Sequence, residues 1–219
     1  MQQSHWCDND KQGVLECTQQ GIGQITQNDF AREIEKYAAD VNNRTFLEIG
    51  TWNGLGSTKA FVNALSKRTD NYVFYSLECN KDKVHLAQKL YRNFNNVHIL
   101  NEVIWNEMPS DFYEIFPVCK VNAGCNRWNE IDILNMQQCE LFLTRTNLPD
   151  IFDVLLLDGG EFTTYYEFQI LKNKCKIIML DDTNTSKCEL IVDEIKQSNQ
   201  WSILKESDER NGYLIAQKK

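Results

Sequence analysis

Much of what commonly identifies a protein by inspection is missing from this chain. No apolar run approaches the roughly eighteen residues that a membrane-spanning helix needs, and the mean hydropathy is -0.48. The first ten residues, MQQSHWCDND, carry neither a basic start nor an apolar stretch. No secretory signal is read there, and the expected location is cytoplasmic. Eight cysteines are present, but no pair has C-x-x-C spacing, which argues against a zinc knuckle or a thioredoxin-like site. They are expected as reduced thiols, several of them buried. Cys119, Cys125 and Cys139 form the one trio weighed as a three-thiolate metal site, and no His lies near it in sequence. Positive charge is short: 23 Lys and Arg face 31 Asp and Glu, a formal net charge of -8. Such a chain repels phosphate backbones, so nucleic acid is a disfavoured partner. Lys172, Lys174 and Lys176 are a local basic run, read as closing a helix and solvating the start of a strand. No internal repeat or low-complexity segment occurs.

What is present reads as one globular domain. At 219 residues the chain can bury a full core. Its 42% hydrophobic and 25% charged residues are a globular composition. Residues 1–27 are polar and rich in Gln, read as an N-terminal arm ahead of a single domain over 28–219. Phe30, Ile34, Tyr37, Ala38 and Val41 fall at helical spacing and predict a helix over 28–41, with Asn28 or Thr26 as its cap. Strand-like segments at 45–50 (TFLEIG), 72–78 (YVFYSLE) and 97–103 (VHILNEV) alternate with helices beginning near Ser57 and spanning 81–94. The rhythm breaks over 105–150, which holds all three prolines, three of the cysteines, Trp105 and Trp128. This stretch is read as an insertion around a helix at about 129–143. The rhythm resumes with a strand at 152–158, a helix near 162–172, a strand at 175–181 and a helix capped by Ser186. Strands at 201–205 and 212–216 read as a hairpin across 209–211. The fold class expected is α/β: a Rossmann-like, mostly parallel sheet with helices on both faces and a C-terminal antiparallel hairpin.

The most informative segment is FLEIGTWNGLGST, residues 46–58. It is an apolar strand, a glycine-bearing turn and a helix start. Glycine lets such a turn bend tightly and lets a ligand approach the backbone. The first amides of the following helix point toward that ligand. The spacing Gly50-x-x-x-Gly54-x-Gly56 is not the G-x-G-x-x-G of a dinucleotide site, and no G-K-[ST] follows. A nicotinamide dehydrogenase and a P-loop enzyme are both disfavoured. Taken alone, the segment is equally an ordinary strand-to-helix turn. Twenty-eight residues after Gly50, however, the next strand ends at Glu78. In an open α/β sheet an acid at that place can accept both hydroxyls of a ribose. The plainer alternative is a carboxylate favoured by the dipole of the helix it precedes. The turn and the acid in this order favour the ligand.

With these residues the sequence resembles the class I S-adenosylmethionine-dependent methyltransferases over roughly residues 44–217. EIGTWNGLGST is similar to their first motif, E/D-x-G-x-x-x-G, and Glu78 matches their ribose acid. FDVLLLDGGE (152–161) and IIMLDD (177–182) look like the ends of their fourth and fifth strands. Within the class, the pattern is most similar to small-molecule O-methyltransferase-like families. The resemblance implies S-adenosylmethionine as cofactor, held by Glu48, Gly50, Thr51, Trp52, Asn53, Gly54, Glu78, Cys79, Glu102 and Asp158. Trp52 would pack beside its methionine or adenine end, and Glu102 would meet the adenine amino group. The activity implied is methyl transfer to an oxygen, less readily a nitrogen, of a small molecule.

Asp158, Asp181 and Asp182 end two neighbouring strands. Three converging carboxylates repel unless a hard cation or a proton joins them. In the metal-dependent catechol-type relatives, acids at these places hold magnesium, with Asn usual where Asp182 stands. The resemblance thus makes Asp158, Asp181 and Asp182 candidate Mg2+ ligands, able to align two substrate oxygens. The alternative is strand-end acids that cap helices or bind loop amides. Gly159-Gly160-Glu161 replaces the Asp-x-His of related families, so Glu161 or Asp158 is left as the base. His85 and His98 are read as structural, and Tyr165 and Tyr166 as either pocket lining or core. The partners expected are a small-molecule acceptor, no nucleic acid and no membrane, with a second copy of the chain left open. A base amino-methylase would need adjacent prolines after the fourth strand, and a cytosine C5 enzyme a Pro-Cys loop; neither occurs. The rival of a different class is a non-catalytic binding or scaffold module that keeps the fold without the chemistry.

Overall fold

The structure is a computed structural model. It describes residue 25, residues 28–121 and residues 123–219, without the side chains of residues 118, 123, 125, 126 and 128. The N-terminal arm therefore lies outside the described residues apart from Ile25, and so do the thiols of Cys7, Cys17 and Cys125. The other five cysteines are free thiols.

Helix α1 spans Asp29–Ala39, and Asn28 caps it by accepting from the Ala31 amide at 2.9 Å. It ends before Val41, which is 56% exposed and so not part of the apolar stripe. Strand β1 (Thr45–Ile49), helix α2 (Ser57–Leu65), strand β2 (Val73–Leu77), helix α3 (Lys81–Tyr91) and strand β3 (Val97–Leu100) follow in the expected alternation. The predicted strand 97–103 is two strands. The chain breaks at Asn101, whose side-chain amide donates to the carbonyls of Glu78 and Cys79 at 3.0 and 2.9 Å. Strand β4 (Glu102–Val103) then leaves the main sheet and pairs with β5 (Glu140–Leu141). Between β4 and β5 lie helices α4 (Phe112–Ile115), α5 (Pro117–Val121) and α6 (Ala123–Met136). The helix expected at 129–143 thus starts earlier and stops at Met136. Residues 142–144 form a single 3-10 turn instead.

The chain returns with strand β6 (Phe152–Leu157), helix α7 (Thr164–Leu171), strand β7 (Cys175–Asp181), helix α8 (Glu189–Gln197), and the hairpin of β8 (Trp201–Ser207) and β9 (Tyr213–Lys218). Cys188, not Ser186, is the N-cap of α8 and gives no side-chain cap; the Ser186 hydroxyl is committed elsewhere, as described below. The three lysines of the 172–176 run make no basic patch: Lys172 pairs with Glu194 and Lys176 with Asp153, each at 2.7 Å.

The main sheet has seven strands in the order β3-β2-β1-β6-β7-β9-β8. All pairings are parallel except β7–β9 and β8–β9. The central strands β1, β6 and β7 are buried on both faces, as their near-continuous apolar sequences require, while the edge strand β8 is largely exposed. Along β6, Val154 and Leu156 face the layer of α1, α2 and α3, while Leu155 and Leu157 face that of α7 and α8. A third cluster, built on Phe112, Phe116, Met136 and Phe162, packs the insertion onto the chain leaving β6. No helix among the described residues is long and apolar enough to cross a membrane.

Candidate active site

In this strand order the chain leaves β1 toward β2 on one side, while β6 pairs on the other. The crevice outside the carboxyl ends of β1 and β6 is therefore the topological switch point, where open α/β sheets place ligands. The glycine turn sits there. Gly50 and Gly54 have φ of +100° and +79°, and Trp52 has φ of +49°. The glycines answer to protein contacts as well as to the bend: a Cβ on Gly50 would lie 2.1 Å from the Asp158 carbonyl oxygen, and one on Gly54 2.9 Å from Ala87 Cβ. The left-handed turn at Trp52 presents its amide to Glu78. Trp52 N donates to Glu78 Oε2 at 2.7 Å and Asn80 N to Oε1 at 2.9 Å. Two backbone amides thus fix the carboxylate at the end of β2; Oε1 also accepts a weak bond from the Cys79 thiol, while Oε2 keeps a lone pair. The Lys83 ammonium lies over the Trp52 ring, 4.5 Å from its centroid.

Inside the turn, Glu48 is fully buried. Its Oε2 accepts from Thr58 Oγ1 at 2.6 Å and from Ser76 Oγ, which also bonds the Thr51 hydroxyl. Its Oε1 has no hydrogen-bond partner among the described residues. Burial pushes the Glu48 carboxyl up to about 7, against the pull of its hydroxyl neighbours. Asn53 is buried as well: its Oδ1 accepts from the Leu55 amide, and its Nδ2 has no partner among the described residues. A buried acceptor and a buried donor are both unsatisfied, which proteins rarely leave without a ligand or water.

Asp158, Asp181 and Asp182 do converge, with one carboxylate oxygen of each within 4.8 Å of the others. They already hold cations. Lys187 Nζ donates to Asp158 Oδ1 at 2.8 Å and to Asp182 Oδ2 at 2.7 Å, and its side chain is only 5% exposed. Arg210 bonds Asp181 Oδ2 at 3.1 Å, and Asn211 Nδ2 donates to Asp182 Oδ1 at 3.0 Å. Asp182 reaches Lys187 from a left-handed backbone, φ +57°, which Asp tolerates better than most residues. Burial raises the Asp158 and Asp181 carboxyls, the latter to about 7. Burial also works against Asp182, but Lys187, Asn211 and Arg210 outweigh it and hold that carboxyl below its usual range. The donor chemistry suits a hard cation, yet the ammonium already bonds one oxygen each of Asp158 and Asp182 and supplies the positive charge that such an ion would bring, so the residues as arranged do not call for Mg2+.

Gly159 and Gly160 make room for two further carboxyl groups. A Cβ on Gly159 would lie 3.1 Å from Glu167 Oε2, and one on Gly160 3.1 Å from Asp132 Oδ2. Burial pushes both Asp132 and Glu167 up to about 7, and Glu78 adds to the effect on Asp132. Asp132 comes from α6, so the insertion delivers an acid to the sheet edge.

Other expected site residues have partners of their own. Glu161 Oε2 accepts from Ser186 Oγ at 2.6 Å. Both oxygens of Glu102 are engaged by the Arg145 guanidinium, with Nε at 2.9 and 2.7 Å. The Cys79 thiol lies 3.7 Å from Glu78 Oε1, and burial drives its ionisation far upward, which makes it an unreactive lining group. Cys119 and Cys139 pack into the insertion's apolar cluster. Among the described residues, the three aspartates are the one group of metal-ligating side chains. His98 stacks on Tyr75, consistent with its structural reading. Sequence reasoning missed Lys187, Arg210, Asp132 and Glu167. Only Lys187 carried a usable signal, being a cation a few residues past two adjacent acids.

No protein-family model and no curated protein matches this chain. Solved structures do match. An O-methyltransferase from Bacillus cereus in complex with S-adenosylhomocysteine aligns with a TM-score of 0.60 at 13% identity, over 95% of this chain and 90% of that one. A provisionally assigned caffeoyl-CoA O-methyltransferase from Staphylococcus aureus aligns at 0.57 and 15% identity, over 96% and 93%. An S-adenosylhomocysteine-bound methyltransferase from Podospora anserina aligns at 0.52 and 10% identity, over 98% of each chain. The chain therefore has the fold of class I S-adenosylmethionine-dependent methyltransferases, across nearly its whole length.

Proposed function

We propose that this chain is an S-adenosylmethionine-dependent methyltransferase acting on an oxygen, less readily a nitrogen, of a small molecule. The observation that carries the reading is Glu78. Its carboxylate is fixed by the amides of Trp52 and Asn80 beside a left-handed glycine turn, at the switch point of the sheet. An acid so held is arranged to accept two ribose hydroxyls. The unpartnered Glu48 Oε1 and Asn53 Nδ2 match a ligand with both an ammonium and a carboxylate, as the amino-acid end of S-adenosylmethionine has. The backbone of Gly50, Thr51 and Gly54 and the side chains of Trp52 and Cys79 would complete that wall. The S-adenosylhomocysteine held by the Bacillus cereus and Podospora anserina proteins supports the same ligand class here.

When bound, the cofactor supplies an already activated methyl group. The chain's own work is then to hold the acceptor in line and to take its proton. Asp132 suits the second task, because a carboxyl pushed to about 7 is an effective base near neutral pH. Asp158 is a weaker candidate since its charge is engaged by Lys187, and Glu161 is tied to Ser186.

Calorimetric titration with S-adenosylhomocysteine tests the reading. Saturable binding in the micromolar range is expected. Glu78→Ala should weaken it roughly tenfold to hundredfold, about 1–3 kcal/mol for a lost charged hydrogen-bond acceptor. Saturation by NAD but not by S-adenosylhomocysteine would overturn it.

A further inference from the structure

The strand-end acids pose a charge problem that the chain solves from within. Asp158, Asp181 and Asp182 bring three carboxylates together, and Lys187 and Arg210 bring two cations to them. Lys187 is central. Its Nζ bridges Asp158 and Asp182, the acids contributed by the two different strand ends, at 2.8 and 2.7 Å. The side chain is 5% exposed, so water cannot take over the role of its partners. Arg210 closes the other side, 3.1 Å from Asp181 and 3.7 Å from Asp182. A divalent ion binding these oxygens at about 2.0–2.6 Å would have to expel the ammonium. That would leave Lys187 buried, charged and without its partners, which is the expensive way to break a buried ion pair.

We infer that the Lys187 ammonium is the resident cation of this site and stands where metal-dependent O-methyltransferases hold a divalent ion. The inference rests on the methyltransferase reading of the same sheet edge. Two of the three ammonium hydrogens are used by Asp158 and Asp182, and no third acceptor lies on Nζ among the described residues. A point charge of this kind neutralises the strand-end acids but cannot chelate two acceptor oxygens as a metal would.

The test is calorimetric and needs no known acceptor. Wild-type protein is titrated with Mg2+ and with Mn2+, then with S-adenosylhomocysteine in the presence and absence of EDTA. Lys187→Ala is titrated alongside after its fold is checked by circular dichroism. Wild type should show no saturable metal binding and an S-adenosylhomocysteine affinity unchanged by EDTA. Lys187→Ala, which frees the carboxylates, should bind Mn2+ at least tenfold more tightly than wild type. One-to-one saturable binding of either metal to wild type would overturn the inference, as would a folded Lys187→Ala with no gain in Mn2+ affinity. Should that variant fail to fold, Lys187→Met keeps the aliphatic stem, and the wild-type metal titration remains decisive by itself. Loss of S-adenosylhomocysteine binding in wild type would instead sink the methyltransferase reading, while the metal titrations would still report on the Lys187 pairing.

Discussion

Glu48 near the end of β1 and Gly50 just after it show how differently two nearby positions serve the turn. Gly50 is required by the protein itself. With φ +100° and the Asp158 carbonyl 2.1 Å from a would-be Cβ, Gly50→Ala should cost about 3 kcal/mol in denaturant unfolding, adding backbone strain to overpacking. Glu48 is the reverse, a residue the fold tolerates at a cost. Its folded-state carboxyl sits at about 7 because burial penalises its charge, while in the unfolded chain it ionises near 4.5. Below pH 4.5 both states are protonated and Glu48 is neutral in its effect. Between 4.5 and 7 the unfolded state loses the proton first, so stability falls as pH rises, by on the order of 3 kcal/mol in total. Glu48→Gln should therefore raise the melting temperature at pH 8 and leave it nearly unchanged at pH 4, as thermal scans at the two pH values would show. The same substitution should weaken S-adenosylhomocysteine, because it removes the acceptor offered by Oε1. A variant that is no more stable at pH 8 than at pH 4, each relative to wild type, would mean that Glu48 is not held neutral by burial.

At the scale of elements, the insertion is a separable layer. Phe162, fully buried, meets Phe112 edge-on with ring centroids 6.0 Å apart, and Phe112 in turn packs on Phe116. Phe162→Ala should cost about 3–5 kcal/mol locally. Hydrogen exchange should speed up across α4–α6 while β1, β6 and β7 keep their protection; equal loss in both would show a single cooperative unit instead. The parallel strands and their helices were legible in the sequence because burial on both faces writes apolar runs interrupted by at most one polar residue, such as FDVLLL and CKIIML. The break at Asn101 was not legible, since it depends on one side-chain amide satisfying two carbonyls in a different loop. The extent of α6 was hidden for a related reason: its sequence, AGCNRWNEIDILNM, has apolar residues on no single face. Order and spacing pointed to Glu78 and the glycine turn together, and the fold places them side by side. The Arg145 partner of Glu102 was not legible, because nothing local announces a residue 43 positions away. Lys187 was only faintly legible: a cation five residues past Asp182 shows in the sequence, but not the fold that turns it back onto the acids.

At the scale of the whole molecule, the seven-stranded sheet brings Glu48, Glu78, Asp132, Asp158 and Glu167 to one edge of an acidic protein, and gives that edge its own counter-charges in Lys187 and Arg210. Such a site suits a ligand that carries positive charge, and S-adenosylmethionine carries it on both its sulfonium and its ammonium. Salt should then weaken binding of the cationic cofactor more than that of S-adenosylhomocysteine, which lacks the sulfonium charge, when both are titrated at low and high ionic strength. Equal salt dependence would argue that the acidic edge does not face the sulfonium. The central claim is that the switch point between β1 and β6 is a cofactor site read by Glu78. A crystal structure of the protein with S-adenosylhomocysteine tests it most directly. The account predicts ribose hydroxyls on the Glu78 carboxylate, with the amino-acid end over the Gly50–Gly54 turn. Density for the ligand elsewhere, or a Glu78 carboxylate that touches only Trp52 and Asn80 in the occupied complex, would contradict it.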